Sequence, residues 1–168
     1  MRTILVTGAV AALAALGGPA GAQDAEYDTE ASELSYSRFA EEHGPEHPLY
    51  CMYGYFASKT GDHAVAQKIF NRCIDEAESP AAMVYLSMFY EEGIGTPPDP
   101  VKARALMRRA AEKGYSVAQY NLGRDLLQSA TTPAERVVAL RWLERAAAQD
   151  DTDAAELLKS VSAAGGAS

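Results

Sequence analysis

A five-residue segment with two histidines is the first candidate for chemistry in this chain. His43-Gly44-Pro45-Glu46-His47 has the H-x-x-E-H spacing that, in one class of zinc protease, places both histidines on one helix face. Gly44 and Pro45 argue against such a helix, because proline lacks the backbone N–H donor and clashes with the preceding turn. We therefore interpret the segment as a polar linker and predict no catalytic residue and no metal site, with adventitious metal binding as the alternative.

The two cysteines, Cys51 and Cys73, form a second candidate pair. They lie about ten residues before and about twelve residues after a predicted hairpin turn at Gly61, so antiparallel helices would place them at the same level. Helix axes that pack about 8 to 10 Å apart allow the Cα atoms to come within about 7 Å. We predict a disulfide, and the alternative is a pair of buried free thiols.

Other motifs that would indicate catalysis are missing from the sequence. It contains no G-x-S-x-G nucleophile elbow, no glycine-rich phosphate loop and no C-x-x-C pair, and His63 stands alone at the start of a predicted helix. We therefore predict that the protein is not an enzyme, binds no cofactor and has no small-molecule substrate.

The first residues have the features of a secretory signal. Arg2 precedes an apolar run from Ile4 to Leu16, and the small residues Ala20-Gly21-Ala22 offer a cleavage site. We predict that residues 1–22 are removed, that the mature chain starts near Gln23 and that it is periplasmic or secreted. The apolar run is shorter than the roughly 20 residues of a membrane span, and an uncleaved anchor is the alternative.

The charge of the chain bears on its partners. Cleavage would remove one of the 15 basic residues and none of the 23 acidic ones, which changes the net charge from −8 to −9. Such a field repels nucleic acid and attracts a protein with a basic patch. We expect a protein or peptide partner, no nucleic acid and no membrane span.

The sequence repeats itself with a period of 36 residues. This shift aligns Ala82 with Ala118 and Ala154, Leu86 with Leu122 and Leu158, Ala103 with Ala139, Leu106 with Trp142, and Ala110-Ala111 with Ala146-Ala147. An earlier unit aligns with the next at a shift of 33 for its first helix and 37 for its second, because its turn is four residues shorter. Helical spacing within each unit, with proline and glycine at the ends, predicts a helix pair.

These units define the predicted fold, an all-α stack of antiparallel helix pairs, or α/α solenoid. The predicted domain organisation is a signal peptide at 1–22, an acidic leader or linker at 23–47 that can include a short helix, a repeat domain at 48–161 and a flexible tail at 162–168. Within the repeat domain we predict pairs at 48–78, 79–115 and 116–150 and a capping helix at 151–161.

One unit carries a family resemblance. Its pattern consists of Ala82, Leu86-Ser87, Tyr90, Gly93-Ile94-Gly95, Asp99, Lys102-Ala103, Leu106, Ala110-Ala111 and Gly114. At these spacings it resembles the Sel1-like repeat, a relative of the tetratricopeptide repeat, and the first helix pair looks like a tetratricopeptide hairpin. The second unit departs from the pattern by having Ser129 and Thr131 in place of the loop glycines.

The resemblance implies a superhelix that binds or scaffolds other proteins. Some cysteine-rich secreted relatives have been linked to β-lactam binding, and a hydrolase of that kind is one alternative, although the S-x-x-K nucleophile motif is absent here. A structural subunit of an envelope or motility complex is another.

The first helices of the pairs provide the predicted binding surface, because they line the inner, concave side of such solenoids. We call this surface the first-helix face. Its predicted residues are Met52, Tyr55, Phe56, Lys59, Tyr85, Met88, Phe89, Glu92, Asn121, Arg124, Asp125 and Gln128. A stripe of this kind can instead be ordinary core. In one version of the hypothesis, Ala31 to His43 folds as a helix across this groove.

Overall fold

The computed structural model describes residues 29–165, a part of the chain that forms eight α-helices and no strand. The helices are α1 (Thr29–Glu42), α2 (Tyr50–Thr60), α3 (His63–Ala77), α4 (Pro80–Glu92), α5 (Pro100–Glu112), α6 (Ser116–Ser129), α7 (Pro133–Ala147) and α8 (Thr152–Gly165). Between residues 29 and 165, none of the helices is long and apolar enough to cross a membrane. The predicted signal segment, 1–22, lies outside the described residues.

Short connections join α2 to α3, α4 to α5 and α6 to α7, and each pair packs against the next. Polar side chains fix where these helices start. Asp62, Ser79 and Asp99 each accept the backbone N–H of the residue three positions on. Thr132 and Glu135 form a capping box at the start of α7. The predicted fold, an α/α solenoid of helix pairs, is confirmed.

A small residue lies where the two helices of a pair approach each other. A Cβ atom added to Gly54 would lie 2.8 Å from Cε1 of Phe70 in α3, and one added to Gly123 would lie 2.9 Å from Cγ of Leu143 in α7. Ser87 occupies the equivalent position of α4, where it is fully buried and its hydroxyl donates to the Val84 carbonyl. The two helices of each pair are therefore in close contact at these small residues, and this contact, which we call the seam, has no room for a large side chain.

Alanines connect one pair to the next. Ala82, Ala118 and Ala154, which the 36-residue period aligns, are all buried. The buried Gln119 adds polar links, since its amide donates to the Ala111 carbonyl and accepts from Gln149.

Helix α1 closes the N-terminal end of the stack. Phe39 stacks on Tyr53 of α2 with ring centroids 3.7 Å apart. The Arg72 guanidinium of α3 donates to the carbonyls of Ala40 and His43, which belong to the end of α1 and the turn after it. The stacking fixes α1 against α2, and the hydrogen bonds from Arg72 fix it against α3. The Arg72 cation also stabilises the C-terminal end of α1, where backbone carbonyls are unpaired.

Helix α8 closes the other end and is longer than predicted. We expected a cap at 151–161 followed by a flexible tail, but the helix continues to Gly165. The Ser160 and Ser162 hydroxyls donate to carbonyls of the preceding turn, which allows these residues to stay helical.

The predicted disulfide between Cys51 and Cys73 is confirmed, with the two Cα atoms 6.0 Å apart. The bond joins α2 to α3 and closes a loop over a sequence separation of 22 residues.

Removing this bond by the double substitution Cys51→Ala and Cys73→Ala should lower the free energy of unfolding by about 3 kcal/mol, because the unfolded chain regains the entropy of the open loop. Urea denaturation of the variant and of reduced wild-type protein measures this, and the two should agree. Equal stability of the variant and the oxidised wild type would contradict the stabilising role.

Glu78 links the end of α3 to α5. Its carboxylate accepts from Lys113 Nζ at 2.6 Å and lies 3.6 Å from Arg109 Nη2. The hydrogen bond from Lys113, with its positive charge and that of Arg109, lowers the pKa of this carboxyl. A lowered folded-state pKa stabilises the protein above the ordinary carboxyl range, and this stabilisation is lost as the pH falls through the lowered pKa.

We therefore expect Glu78→Gln to decrease stability at about pH 7 and to have a smaller effect at about pH 3. Urea denaturation of both proteins at the two pH values checks this. The effect should be modest because the carboxylate is exposed. A difference that is constant with pH would show that Glu78 acts through its shape alone.

Candidate partner-binding site

Exposed apolar side chains mark the first-helix face along α2 and α4. Met52, Phe56 and Met88 are 43 %, 40 % and 42 % exposed, although each is large and apolar. Apolar groups that stay exposed together on a folded protein are typical of interaction surfaces. This part of the predicted site is therefore accessible to a partner.

A pocket of about 260 Å³ lies between α2 and α4. It is lined by Cys51, Met52, Tyr55, Phe70, Ala81, Ala82 and Tyr85. The rings of Tyr55 and Tyr85 have centroids 5.3 Å apart, and Tyr85 also stacks on Phe70 at 5.3 Å. The structure thus brings together three of the residues predicted from sequence, Met52, Tyr55 and Tyr85.

Contacts with α3 hold the walls of this pocket in place. Cys51 contributes to the lining, so the disulfide to α3 fixes its α2 side, while the Phe70 ring supports its α4 side. Burial raises the pKa of Tyr85, with smaller contributions from Tyr115 and Tyr55. The Tyr85 hydroxyl is neutral at physiological pH, as an ordinary tyrosine is, and can donate or accept a hydrogen bond.

Charged residues follow the apolar ones along each helix. The Lys59 ammonium lies 5.3 Å from the centroid of the Tyr55 ring, and Glu92 is exposed at the end of α4. The apolar part of the face is thus bordered by one basic and one acidic side chain.

The third helix of the predicted face, α6, is polar. Arg124 donates to the Asp125 carboxylate and lies over the Tyr120 ring at 5.6 Å. Asn121 is half-buried and Gln128 is exposed. These side chains offer hydrogen bonding but no apolar anchor.

Phe89 does not belong to the site, and its inclusion in the predicted stripe was wrong. It is 5 % exposed and packs against Phe70 at 5.9 Å and His63 at 5.7 Å, both in α3. Its position on α4 points toward the second helix of the preceding pair and away from solvent. Asp125, the repeat equivalent of Phe89, points in the same way into the next junction, where it lines a separate cleft with α5.

Helix α1 does not cover the pocket between α2 and α4. It contacts α2 through Tyr53 and α3 through Arg72, and none of its described side chains lines that pocket. The version of the hypothesis in which Ala31 to His43 crosses the groove is therefore wrong. The physical reason is that Phe39 and Ala40 bury their apolar surface against the end of the stack.

The histidine segment lies in the turn between α1 and α2. As Gly44 and Pro45 predict, no helix spans it, because α1 ends at Glu42 and α2 begins at Tyr50. The His43 and His47 rings pack on Phe39 at 4.5 and 5.2 Å. Residues 29–165 hold no group of three or more histidine, cysteine, aspartate or glutamate side chains placed to bind a metal ion.

Comparisons with known proteins agree with this architecture. The Sel1 repeat family matches residues 80–115 and 116–151, so this stretch of the solenoid consists of two Sel1 repeats. No curated protein matches the sequence.

The solved structures that are similar to the chain include the following two. One is c5321, a protective antigen present in uropathogenic Escherichia coli strains that displays an SLR fold; it is 27% identical, with a TM-score of 0.57, over 75% of this chain. The match spans only 27% of the length of c5321. The other is a Sel1 repeat protein from Oxalobacter formigenes, 27% identical with a TM-score of 0.46, over 79% of this chain and 89% of that one.

The different positions of Phe89 and Met88 predict different effects of truncation. Phe89→Ala should lower the free energy of unfolding by about 3 to 5 kcal/mol, because it leaves a cavity between α3 and α4. Met88→Ala should change it by no more than about 0.5 kcal/mol, because the side chain is exposed. Chemical denaturation measures both, and a similar effect of the two substitutions would refute the assignment of Phe89 to the core.

Proposed function

We propose that this protein is an interaction module that binds a peptide or helix of another protein on the first-helix face. The observation that carries the proposal is that Met52, Phe56 and Met88 are exposed on α2 and α4 and that Met52 also lines the pocket between these two helices. Binding, and not catalysis, is the function that these side chains support.

The chemistry of the face suits a protein anchor. Aromatic and methionine side chains are enriched in the buried centres of interfaces, and methionine adapts its shape to different partners. Tyr55 and Tyr85 provide rigid walls of the pocket, Met52 provides an adjustable one, and Met88 is exposed further along α4. An amphipathic helix or an extended segment with one or two large apolar residues would match this arrangement.

The net charge of −8 favours a partner with basic side chains around its apolar anchor. Complementary charge mainly accelerates the encounter of two proteins, whereas the apolar contact determines how slowly they separate. We therefore expect salt to weaken association mostly through its rate.

We further propose that the protein acts in the periplasm or outside the cell. The signal-like segment at 1–22 supports this location, and so does the disulfide, because such bonds persist in oxidising compartments. Mass spectrometry of the protein from its native source tests the location: a mature start near Gln23 is expected, and a retained residue 1–22 segment would refute cleavage.

The groove variant Met52→Ser with Met88→Ser tests the binding proposal. The bait is the mature wild-type chain, cross-linked in a periplasmic extract, and the partner that it captures is then produced pure. Isothermal titration should show affinity for this partner falling at least about ten-fold in the variant, because two apolar contacts are lost.

The matched control is Val137→Ser with Val138→Ser, which removes two exposed apolar side chains from α7 instead. Its affinity should equal that of the wild type, and circular dichroism should show that both variants stay helical. Equal affinities of the groove and control variants would reject the first-helix face as the binding site.

A further inference from the structure

A second cleft, of about 400 Å³, lies between α5 and α6. Its lining is Glu91, Pro100, Ala103, Arg104, Met107, Arg108, Leu122, Asp125, Leu126 and Ser129. We call it the junction cleft. Its volume lies within the range of about 300 to 1,000 Å³ that ligand pockets occupy.

The preceding junction shows what the junction cleft lacks. Between α3 and α4, the Phe89 ring fills the equivalent space and contacts Phe70 and His63 edge to face. The repeat alignment places Asp125 at the position of Phe89, Met107 at that of Phe70 and Pro100 at that of His63. Three rings in one junction are therefore replaced by smaller or non-aromatic side chains in the next, and the space of the central ring is left open.

The loop that covers the first junction is also missing from the second. The connection between α4 and α5 lies over α3, where the Gln67 amide donates to the Ile94 carbonyl at 3.2 Å. The connection between α6 and α7 has only residues 130–132, and α7 starts one turn earlier than the repeat period requires. Arg104, the equivalent of Gln67, consequently has no loop above it, and the cleft opens to solvent.

The cleft has an apolar floor and a charged rim. Ala103, Met107, Leu122 and Leu126 form the floor. On the α5 side, Arg104 and Arg108 are exposed, lie one helical turn apart and make no ion pair within the described part of the chain.

The acidic residues of the rim lie on the other helices. Asp125, on α6, already accepts two hydrogen bonds from Arg124, and Glu91 comes from the end of α4. The unpaired guanidinium groups thus leave the α5 side of the rim suited to an anion.

We propose that the junction cleft binds a phenylalanine side chain of a partner peptide, with a neighbouring carboxylate of that peptide on Arg104 and Arg108. The ring would take the place that Phe89 takes in the preceding junction, so the fold itself shows which group this space accepts. The inference rests on the proposed function in that the ligand is a protein segment, but the site is separate from the pocket between α2 and α4 and shares only Asp125 with the residues predicted for the first-helix face.

The test uses the mature chain labelled with nitrogen-15 and two acetylated, amidated peptides, Ser-Gly-Glu-Phe-Gly-Ser and its counterpart with alanine in place of phenylalanine. As the phenylalanine peptide is added, the NMR chemical shifts of amide groups on α5 and α6 should change and reach a plateau. The alanine peptide should bind at least about ten-fold more weakly, because it leaves the floor uncovered. Equal binding of the two peptides would overturn the proposal.

Asp125→Phe supplies the missing ring from within the chain. This variant should have a melting temperature equal to or above that of the wild type. Its affinity for the phenylalanine peptide should be at least about ten-fold lower, because the new ring occupies the cleft. Gln128→Phe is the matched control, since it adds the same ring at an exposed position of α6 and should bind like the wild type. Wild-type affinity in Asp125→Phe would overturn the proposal.

Arg104→Gln with Arg108→Gln provides an independent readout if Asp125→Phe fails to fold. This variant should bind the phenylalanine peptide more weakly than the wild type does, and its binding should no longer depend on salt concentration, because the contact with the glutamate carboxylate is lost. An unchanged affinity would refute the carboxylate contact. The Met52→Ser, Met88→Ser groove variant should bind the peptide like the wild type. Failure of the first-helix face and failure of the junction cleft are thereby distinguishable.

Discussion

The close approach of two helices within each pair is the constraint on which the rest of the structure depends. Gly54 and Gly123 have no Cβ atom, and a methyl group at either position would lie within 3.0 Å of a side chain on the second helix. Ser87 fulfils the same requirement in α4 by turning its hydroxyl back onto its own helix. Because each pair closes in this way, the buried alanines can then stack one pair on the next.

Repetition in the sequence was sufficient to predict the helix pairs, and the spacing of the two cysteines around the Gly61 turn was sufficient to predict the disulfide. Small residues that recur every 36 positions could only be core, and Ser79, Asp99 and Thr132 are residue types that start helices. The orientation of the predicted stripe on α4 was harder to predict, because Met88 and Phe89 are neighbours on the helix and differ only in whether they point outward or toward α3. That difference depends on how each helix pair is rotated relative to the preceding pair, and the helical period of the sequence gives no information about this rotation. The packing position of α1 could not be predicted either, because it depends on the contact between Phe39 and Tyr53.

The proposed binding sites lie where the repeats differ. The seam and the alanine contacts recur in each unit, and they hold the first helices at fixed spacing. The positions that vary either face solvent, as Met52 and Met88 do, or face a junction, as Phe89 and Asp125 do. Replacement of three rings, together with a shorter connection between the helices of the next pair, therefore changes a packed junction into an open one while the stack is kept.

The free energy of unfolding of Gly123→Leu tests this account most directly, with Gln128→Leu as the reference because it places the same side chain on the exposed side of α6. If the seam is the governing constraint, the first substitution lowers stability by at least about 1 to 3 kcal/mol, since Leu143 and the α7 backbone block the new side chain. Gln128→Leu should be nearly neutral. Equal stability of the two variants would mean that the helices of the pair can separate freely, and the architecture described here would not hold.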